Sequence, residues 1–151
     1  MDETQSNPLI EMVRQCVGGE IPNNPSAVGR WLRPKLLRVH EDGLEASVLV
    51  RPEMTNPANV LHGGMIAAMM DEMLGATTFI FSGGRYYASI NLSVDYLASA
   101  HAGDEVIVRS RLLRRGKRLV HGESTLCSAS GELLARASTN LITVGNSDTD
   151  A

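Results

Sequence analysis

The sequence predicts an α+β fold in which an antiparallel β-sheet curls around one long helix. The first observation behind this prediction is the stretch 61–81, LHGGMIAAMMDEMLGATTFIF, where apolar residues cover nearly every side of a helix. A helix that is hydrophobic all round is enclosed by other structure. The second observation is an alternation of apolar and polar residues before and after this stretch, which is typical of strands with one buried face. Helices and strands that are segregated along the chain indicate the α+β class.

The N-terminal third is predicted to hold a short helix and a β-hairpin. Asn7 and Pro8 suit a helix start, and the glycine pair at 18–19 suits its end. Residues 31–40 have a mixed pattern that ends as a strand. Asp42-Gly43 predicts a hairpin with a type I′ turn, because this dipeptide suits positive φ angles. The strand after this turn places four apolar residues on one face: Leu44, Ala46, Val48 and Val50.

After the long helix in the sequence, we predict a series of antiparallel strands. The first begins near Arg85 and carries two alternating sets, Ala88, Ile90, Leu92, Val94 and Tyr96 on one face, and Ser89, Asn91, Ser93 and Asp95 on the other. Three more strands are expected over 106–113, 118–129 and 132–144. We therefore expect one domain over 1–144 and a disordered tail over 145–151.

The long helix is also the strongest argument for a second copy of the chain. About 20 residues would span roughly 30 Å, enough for a small domain or a bilayer core. Asp71 and Glu72 lie at its middle, and charges there are unfavourable inside a membrane, so the helix is expected not to span one. Because a single sheet does not cover such a helix completely, we expect a homodimer or a dimer of dimers.

Composition narrows the class of partner. The chain has 151 residues, a formal net charge of -3 and 4% aromatic residues, which disfavours nucleic-acid binding. Cys16 and Cys127 lack the spacing of metal ligands, so neither a zinc site nor a disulfide framework is expected. No metal and no cofactor are expected for the function that the sequence predicts below. The acidic, polar N-terminus lacks the basic start and apolar run of a secretory signal, so a cytoplasmic location is expected.

The start of the long helix is a candidate site for a developing negative charge. His62 precedes Gly63 and Gly64, and glycines there let a ligand approach backbone N–H groups that have no partner within the helix. The alternative is that the two glycines only permit close packing. Asp71 follows Gly63 by eight residues and lies on roughly the same side, about 12 Å further along. That is too far for one chain, but in a two-fold dimer with antiparallel helices Asp71 can face the partner's Gly63. The alternative here is a structural Asp71 bonded to neighbouring polar groups.

The pattern Asn56-x5-His62-Gly63-Gly64-x6-Asp71, followed by Ser89, resembles the hotdog-fold acyl-CoA thioesterases, specifically their phenylacetyl-CoA thioesterase-like branch. The resemblance covers about 36–144. It implies a helix wrapped by a curled sheet and active sites between subunits. Family members often have Gly where this chain has Asn59, and Asn is the non-glycine residue that best tolerates left-handed backbone angles.

The resemblance also implies catalytic roles. The Gly63 N–H would polarise the thioester carbonyl with the Asn56 side chain nearby, and Asp71 of the partner would act as general base or as nucleophile. Ser89 would place the water. His62 would orient Asn56 or assist the departing thiol, with a purely structural role as the alternative.

Coenzyme A would add contacts outside the reacting centre. Gly64 and Met65 are expected beside the substrate, and the basic turn of Arg115, Lys117 and Arg118 is expected to meet the phosphates, unless these charges are merely solvated. Met69, Met70 and Met73 are expected either to line an acyl pocket or to belong to the core.

The sequence thus predicts hydrolysis of an aryl or medium-chain acyl-CoA. The competing interpretation is a non-catalytic hotdog protein that binds acyl-CoA or an acyl chain. A hydratase of the same fold would need an Asp and His pair on a different loop, for which the remaining histidines offer no pattern.

Overall fold

The computed structural model describes residues 6–145. Two short helices, α1 (Pro8–Arg14) and α2 (Ala27–Leu32), come first. The hairpin β1 (Lys35–Val39) and β2 (Leu44–Leu49) follows, then a 3-10 turn (Pro52–Met54) and the long helix α3 (Gly63–Phe81). The last four elements are β3 (Tyr87–Tyr96), β4 (Glu105–Arg115), β5 (Leu119–Ser128) and β6 (Leu133–Thr143).

The described strands form one curled, unclosed antiparallel sheet in the order β1-β2-β4-β5-β6-β3. Helix α3 packs on its concave side against β3, β4, β5 and β6. Strands β1 and β3 are the two edges, and within the described chain β3 pairs with β6 alone. The α+β class, the central helix and the curled sheet predicted from the sequence are confirmed.

The core lies between α3 and the sheet. The helix buries eight residues there: Ile66, Met69, Met70, Met73, Leu74, Thr77, Thr78 and Ile80. Although α3 is long and apolar enough by length and composition to cross a membrane, these residues are covered by the protein itself. The opposite side stays open. Asp71 is exposed there, and a Cβ added at Gly75 would meet no heavy atom within 4 Å. The expected apolar surroundings of Asp71 are therefore absent within a single chain.

The N-terminal third differs from the prediction in two places. Trp31 belongs to α2, whose start is capped by the Ser26 side chain, so the strand begins only at Lys35. The hairpin is present, but the type I′ turn is wrong, because Gly43 has no positive φ. Glycine is needed at this position for a different reason: a Cβ would overlap the carbonyl oxygen of Ser110 on β4.

Strand β3 departs from simple alternation by a β-bulge at Ile90. Ser89 pairs with Leu141 and Leu92 with Thr139, and both of these partners are buried. Ser89 therefore faces the helix together with Leu92, although strict alternation placed them on opposite sides. Ile90 is 58% exposed on the outer side.

The single domain over 1–144 stays a prediction. Of the predicted tail, Gly145 is described, and 146–151 lie outside the described residues.

Candidate active site

The start of α3 presents one backbone N–H without a partner. His62 is the N-cap residue, and its Nδ1 accepts a hydrogen bond from the Gly64 amide at 2.8 Å. The His62 carbonyl accepts from the amides of Met65 and Ile66. Among residues 6–145 no acceptor is bonded to the Gly63 amide. Gly63 N–H is thus the free donor at this helix start, whereas the Gly64 amide is already occupied.

The loop before the helix is ordered around Asn56. Its Oδ1 accepts from the amides of Ala58 and Val60, as in an Asx turn. Asn59 adopts a φ of 62°, so this asparagine takes the left-handed angle expected of it. The His62 amide closes the loop by donating to the Met54 carbonyl at 2.9 Å. In the described chain His62 makes no hydrogen bond to Asn56. No contact therefore supports the prediction that His62 orients the Asn56 side chain.

A second group of candidate residues lies at the middle of α3. The Ser89 hydroxyl donates to Asp71 Oδ1 at 2.9 Å. The bulge at Ile90 makes this contact possible, because it turns Ser89 toward the helix. Both side chains are exposed on the open side of the molecule. The structure therefore brings together two of the predicted catalytic residues, a carboxylate and the hydroxyl that orients it.

The two groups do not meet within one chain. Gly63 and Asp71 are separated by eight residues, or about 12 Å along the helix axis. One chain carries a free donor at the helix start and an exposed carboxylate with its hydroxyl further along. We call these two separate groups the candidate half-sites.

The neighbouring carboxylate, Glu72, has a structural setting. Its Oε2 accepts from the Ser26 hydroxyl at 2.9 Å, which ties α3 to the start of α2. Burial raises the pKa of Glu72, the Ser26 hydrogen bond opposes this, and the charge of Asp71 adds to the increase. Glu72 thus faces the protein, while Asp71 faces outward.

The basic turn between β4 and β5 borders a cavity of about 220 Å³ at the C-terminal end of α3. Arg115 and Lys117 line it together with Arg85, and none of its lining residues is acidic. Arg115 also donates to the Glu41 carbonyl at 2.7 Å and lies over the Phe81 ring. Arg118 is exposed outside this lining.

The methionines divide into two groups. Met69, Met70 and Met73 are buried in the core, which is the structural alternative for these residues. Met65 is half-buried at the edge of the core. Of the four, Met65 is therefore the one that stays available to a ligand.

A family model described as the thioesterase superfamily matches residues 58–135. The chain belongs to the thioesterase superfamily. The matched segment of this thioesterase-superfamily protein contains the free donor at Gly63, the Asp71–Ser89 pair and the basic turn, and it begins two residues after Asn56.

Similar proteins support the family and the fold. The chain is similar to human acyl-coenzyme A thioesterase 13, with 27% identity over 88 residues that cover 58% of this chain and 63% of the relative. The match thus spans less than two thirds of that relative's length.

Two solved structures share the architecture. The smu.793 protein of Streptococcus mutans, bound to acetyl CoA, has 20% identity and a TM-score of 0.68 over 74% of this chain and 89% of its own. The Escherichia coli PaaI protein, from the phenylacetic acid degradation operon, has 17% identity and a TM-score of 0.73 over 80% and 86%. The hotdog fold and the resemblance to its PaaI-like members are confirmed.

Sequence reasoning missed two residues of this thioesterase-superfamily protein, one beside Gly63 and one at the cavity of the basic turn. The Tyr96 hydroxyl donates to the Gly63 carbonyl, and Arg85 joins the cavity of the basic turn. The sequence pattern assigns Tyr96 only to the apolar face of β3. Its position at the end of that strand, where a hydroxyl can reach a helix terminus, was the available clue. Arg85 is distant in sequence from the basic turn, and nothing in the pattern joins the two.

Proposed function

We propose that this protein hydrolyses an acyl-CoA, with an aryl or medium-chain acyl group, to the free acid and coenzyme A. The observation that carries the proposal is the pair of half-sites on the open side of α3: the free Gly63 N–H, and the Asp71 carboxylate held by Ser89. Oxyanion donors and a positioned carboxylate are the two groups that hydrolysis of a thioester requires. The names of a human relative and of a ligand-bound neighbour, which specify acyl-CoA thioesterase and acetyl CoA, support the substrate class.

The reaction follows from these groups. The Gly63 N–H donates to the thioester oxygen and stabilises the negative charge that develops there, while the Asn56 side chain orders the loop that leads to this donor. Asp71 takes a proton from water, and the hydroxide forms a bond to the carbonyl carbon. The C–S bond breaks as the tetrahedral intermediate collapses, and the thiolate is protonated on leaving. Direct attack by Asp71, which would give an anhydride that water then hydrolyses, is the other route open to this carboxylate.

His62 is suited to assist the leaving thiol. Its Nδ1 accepts from the Gly64 amide, so the neutral ring carries its proton on Nε2. That proton is available to the departing sulfur. The same ring caps the helix and so keeps Gly64 from competing with Gly63 for the substrate oxygen.

A homodimer, or a dimer of dimers, would complete the site. An antiparallel pairing that sets Asp71 against Gly63 of the partner subunit joins the two half-sites twice, once at each end of the pair. The exposed Asp71, the open space at Gly75 and the edge position of β3 are the features of the single chain that such a partner would cover.

The same pairing gives coenzyme A a path. The cavity with Arg115, Lys117 and Arg85 lies at the end of α3, about ten residues and so ~15 Å beyond Asp71. If the phosphates of coenzyme A bind at this cavity, the pantetheine arm extends along the open side of α3 and reaches Asp71. Arg118, exposed and next to Lys117 in the sequence, adds a further positive charge to the basic turn.

The test is release of free thiol from a panel of acyl-CoAs, short-chain, medium-chain and phenylacetyl. We expect turnover by the wild type and a loss of 10²- to 10⁴-fold in kcat for Asp71→Asn, the range typical of a general base. Glu72→Gln is the matched control, because it neutralises the adjacent carboxylate, which faces Ser26 rather than the open side. It is expected to retain most of the activity.

Two results would change the proposal. Unchanged hydrolysis by Asp71→Asn would remove Asp71 from the mechanism. No turnover on any member of the panel, together with tight acyl-CoA binding measured by calorimetry, would favour the non-catalytic binding protein.

A further inference from the structure

Tyr96 is the last residue of β3 and contacts the backbone of Gly63 in two ways. Its hydroxyl donates to the Gly63 carbonyl at 3.0 Å. Its ring lies beside the Gly63 Cα, because a Cβ built there would come within 3.3 Å of Cε1 and 3.4 Å of Cζ. The ring thus occupies the space into which a side chain at position 63 would project.

The peptide plane that carries the Gly63 N–H also carries the His62 carbonyl, which accepts from the amides of Met65 and Ile66. The Gly63 carbonyl lies in the next plane, so Tyr96 acts on the N–H through the φ and ψ angles of Gly63. A glycine backbone visits more conformations than any other, and Gly63 has no side chain to pack. Its carbonyl has two lone pairs, of which helix formation uses one, so the Tyr96 hydroxyl can bond to the other without opposing the helix. On the other side, His62 holds the next amide at Gly64. Gly63 is therefore held between a histidine cap and a tyrosine hydroxyl.

We propose that Tyr96 is a positioning residue that fixes the Gly63 N–H as an oxyanion donor. The inference rests on the thioester hydrolysis proposed above. The alignment of a preorganised donor acts on the transition state, where the oxygen is charged, far more than on the bound substrate. Tyr96 itself is 52% exposed, so its hydroxyl contributes little to core packing.

One strand thereby serves both half-sites. The bulge at Ile90 directs Ser89 toward the helix, and β3 then continues to Tyr96, whose pairing partner Ala135 is fully buried. Ser89 orients Asp71, and Tyr96 orients Gly63. The edge strand thus contacts both the carboxylate and the donor of its own chain.

The experiment compares kcat and KM for wild type, Tyr96→Phe and Tyr86→Phe, on the best acyl-CoA of the panel and on its α-fluorinated analogue. Tyr96→Phe keeps the ring and loses the hydroxyl. We expect kcat to fall roughly 5- to 10-fold, the effect of one hydrogen bond, with KM within about twofold of the wild-type value. The loss is expected to be smaller for the fluorinated substrate, because its acyl group itself stabilises the oxyanion.

Tyr86→Phe is the matched control. Its ring packs against Phe79 with centroids 5.0 Å apart, and it is 61% exposed just before the start of β3, away from Gly63. It is expected to keep the wild-type kcat. A kcat for Tyr96→Phe within twofold of wild type, or an equal loss on both substrates, would overturn the positioning role while leaving the proposed hydrolysis intact. An inactive wild type would overturn the hydrolysis and the positioning role together.

A further variant guards against a general effect on folding. Tyr96→Leu removes the ring as well as the hydroxyl and is expected to lower kcat further than Tyr96→Phe does. Thermal unfolding of both variants accompanies the kinetics. A Tyr96→Phe variant with an unchanged melting temperature and a lowered kcat supports the proposal. If kcat and the melting temperature both fall, and fall by the same amounts in Tyr96→Phe and Tyr96→Leu, Tyr96 is a structural residue only.

Discussion

The Ser89 hydroxyl is the one polar side chain of the described chain that is hydrogen-bonded to Asp71. An exposed carboxylate without such a donor samples several rotamers, and each departure from the reactive orientation lowers the rate. The contact also depends on its strand: Ser89 reaches Asp71 only because the extra residue at Ile90 changes the face of β3. The β-bulge thus decides whether Ser89 can hold the carboxylate of Asp71.

Replacing Ser89 by Ala is expected to lower kcat about tenfold through the loss of one charge-assisted hydrogen bond. The free energy of unfolding should change little, because both partners are exposed. Ser93→Ala is the matched control, since Ser93 is an exposed serine of the same strand. Steady-state kinetics and urea unfolding check both variants. Equal kcat values for the two variants would remove the role assigned to Ser89.

At the scale of elements, the β1–β2 turn is tied to β4 by charge. Asp42 accepts hydrogen bonds from Arg109 and Arg111. Burial alone would raise the pKa of Asp42, but the two arginines, through their hydrogen bonds and charges, lower it from 3.8 to about 2. Together with the close approach of Gly43 to Ser110, this network fixes the turn over the neighbouring strand.

Asp42→Asn is expected to reduce the free energy of unfolding by ~1 kcal/mol at pH 6, a value discounted for the solvent exposure of this group. A carboxyl group with a lowered folded-state pKa stabilises the fold above its unfolded pKa and loses that effect as pH falls. The difference in the free energy of unfolding between variant and wild type should therefore have its full size above about pH 4. It should shrink toward zero as the pH approaches 2. Urea unfolding across this range checks it. A pH-independent difference would exclude the charge network as its cause.

The basic β4–β5 turn is expected to act on the nucleotide part of the substrate. Lys117→Ala should raise KM for acyl-CoA several-fold at low salt and less at high salt, because the contact is ionic and solvent-exposed. For the matching acyl-pantetheine, which has no nucleotide phosphates, KM should not change. Lys35→Ala, at the other lysine of the chain, is the control. An equal KM increase for both substrates would place Lys117 elsewhere than at the phosphates.

At the scale of the whole molecule, the open side of α3 decides whether the chain can act alone. Its two half-sites are about 12 Å apart on one helix. Within the chain no bend brings them together, since α3 is continuous from Gly63 to Phe81. A second subunit is therefore the economical way to unite them.

Mixing two inactive variants tests this arrangement. Asp71→Asn removes the carboxylate half, and Asn56→Ala disrupts the loop that precedes the donor half. If each site takes one half from each subunit, a heterodimer contains one intact site, and random exchange should restore about a quarter of the wild-type activity. The measurement is specific activity after co-refolding. No recovery, with mixed dimers verified by mass, would show that each chain builds its own site.

Much of the fold could be predicted because the hydrophobic pattern is strong. Apolar residues on every side of 61–81 require an enclosing sheet, and the alternation in β2, β4, β5 and β6 places their buried faces correctly. The sequence pattern does not predict α2, because six residues form fewer than two helical turns and cannot show a repeating pattern of apolar residues. The β3 bulge was missed because one extra residue leaves no mark in a sequence, although it reverses which side Ser89 faces.

The sequence by itself determined the family and the central helix and predicted Gly63 and Asp71 as candidate site residues, because these depend on residue type and spacing along one element. The tertiary structure decided which groups are free and which are engaged. It left the Gly63 amide without a partner, gave the Gly64 amide to His62, and turned Asp71 outward and Glu72 toward Ser26. It also brought Tyr96 to Gly63 across 33 positions of chain. Contacts of this kind depend on how a strand crosses a helix, and local patterns of residues contain no information about that crossing.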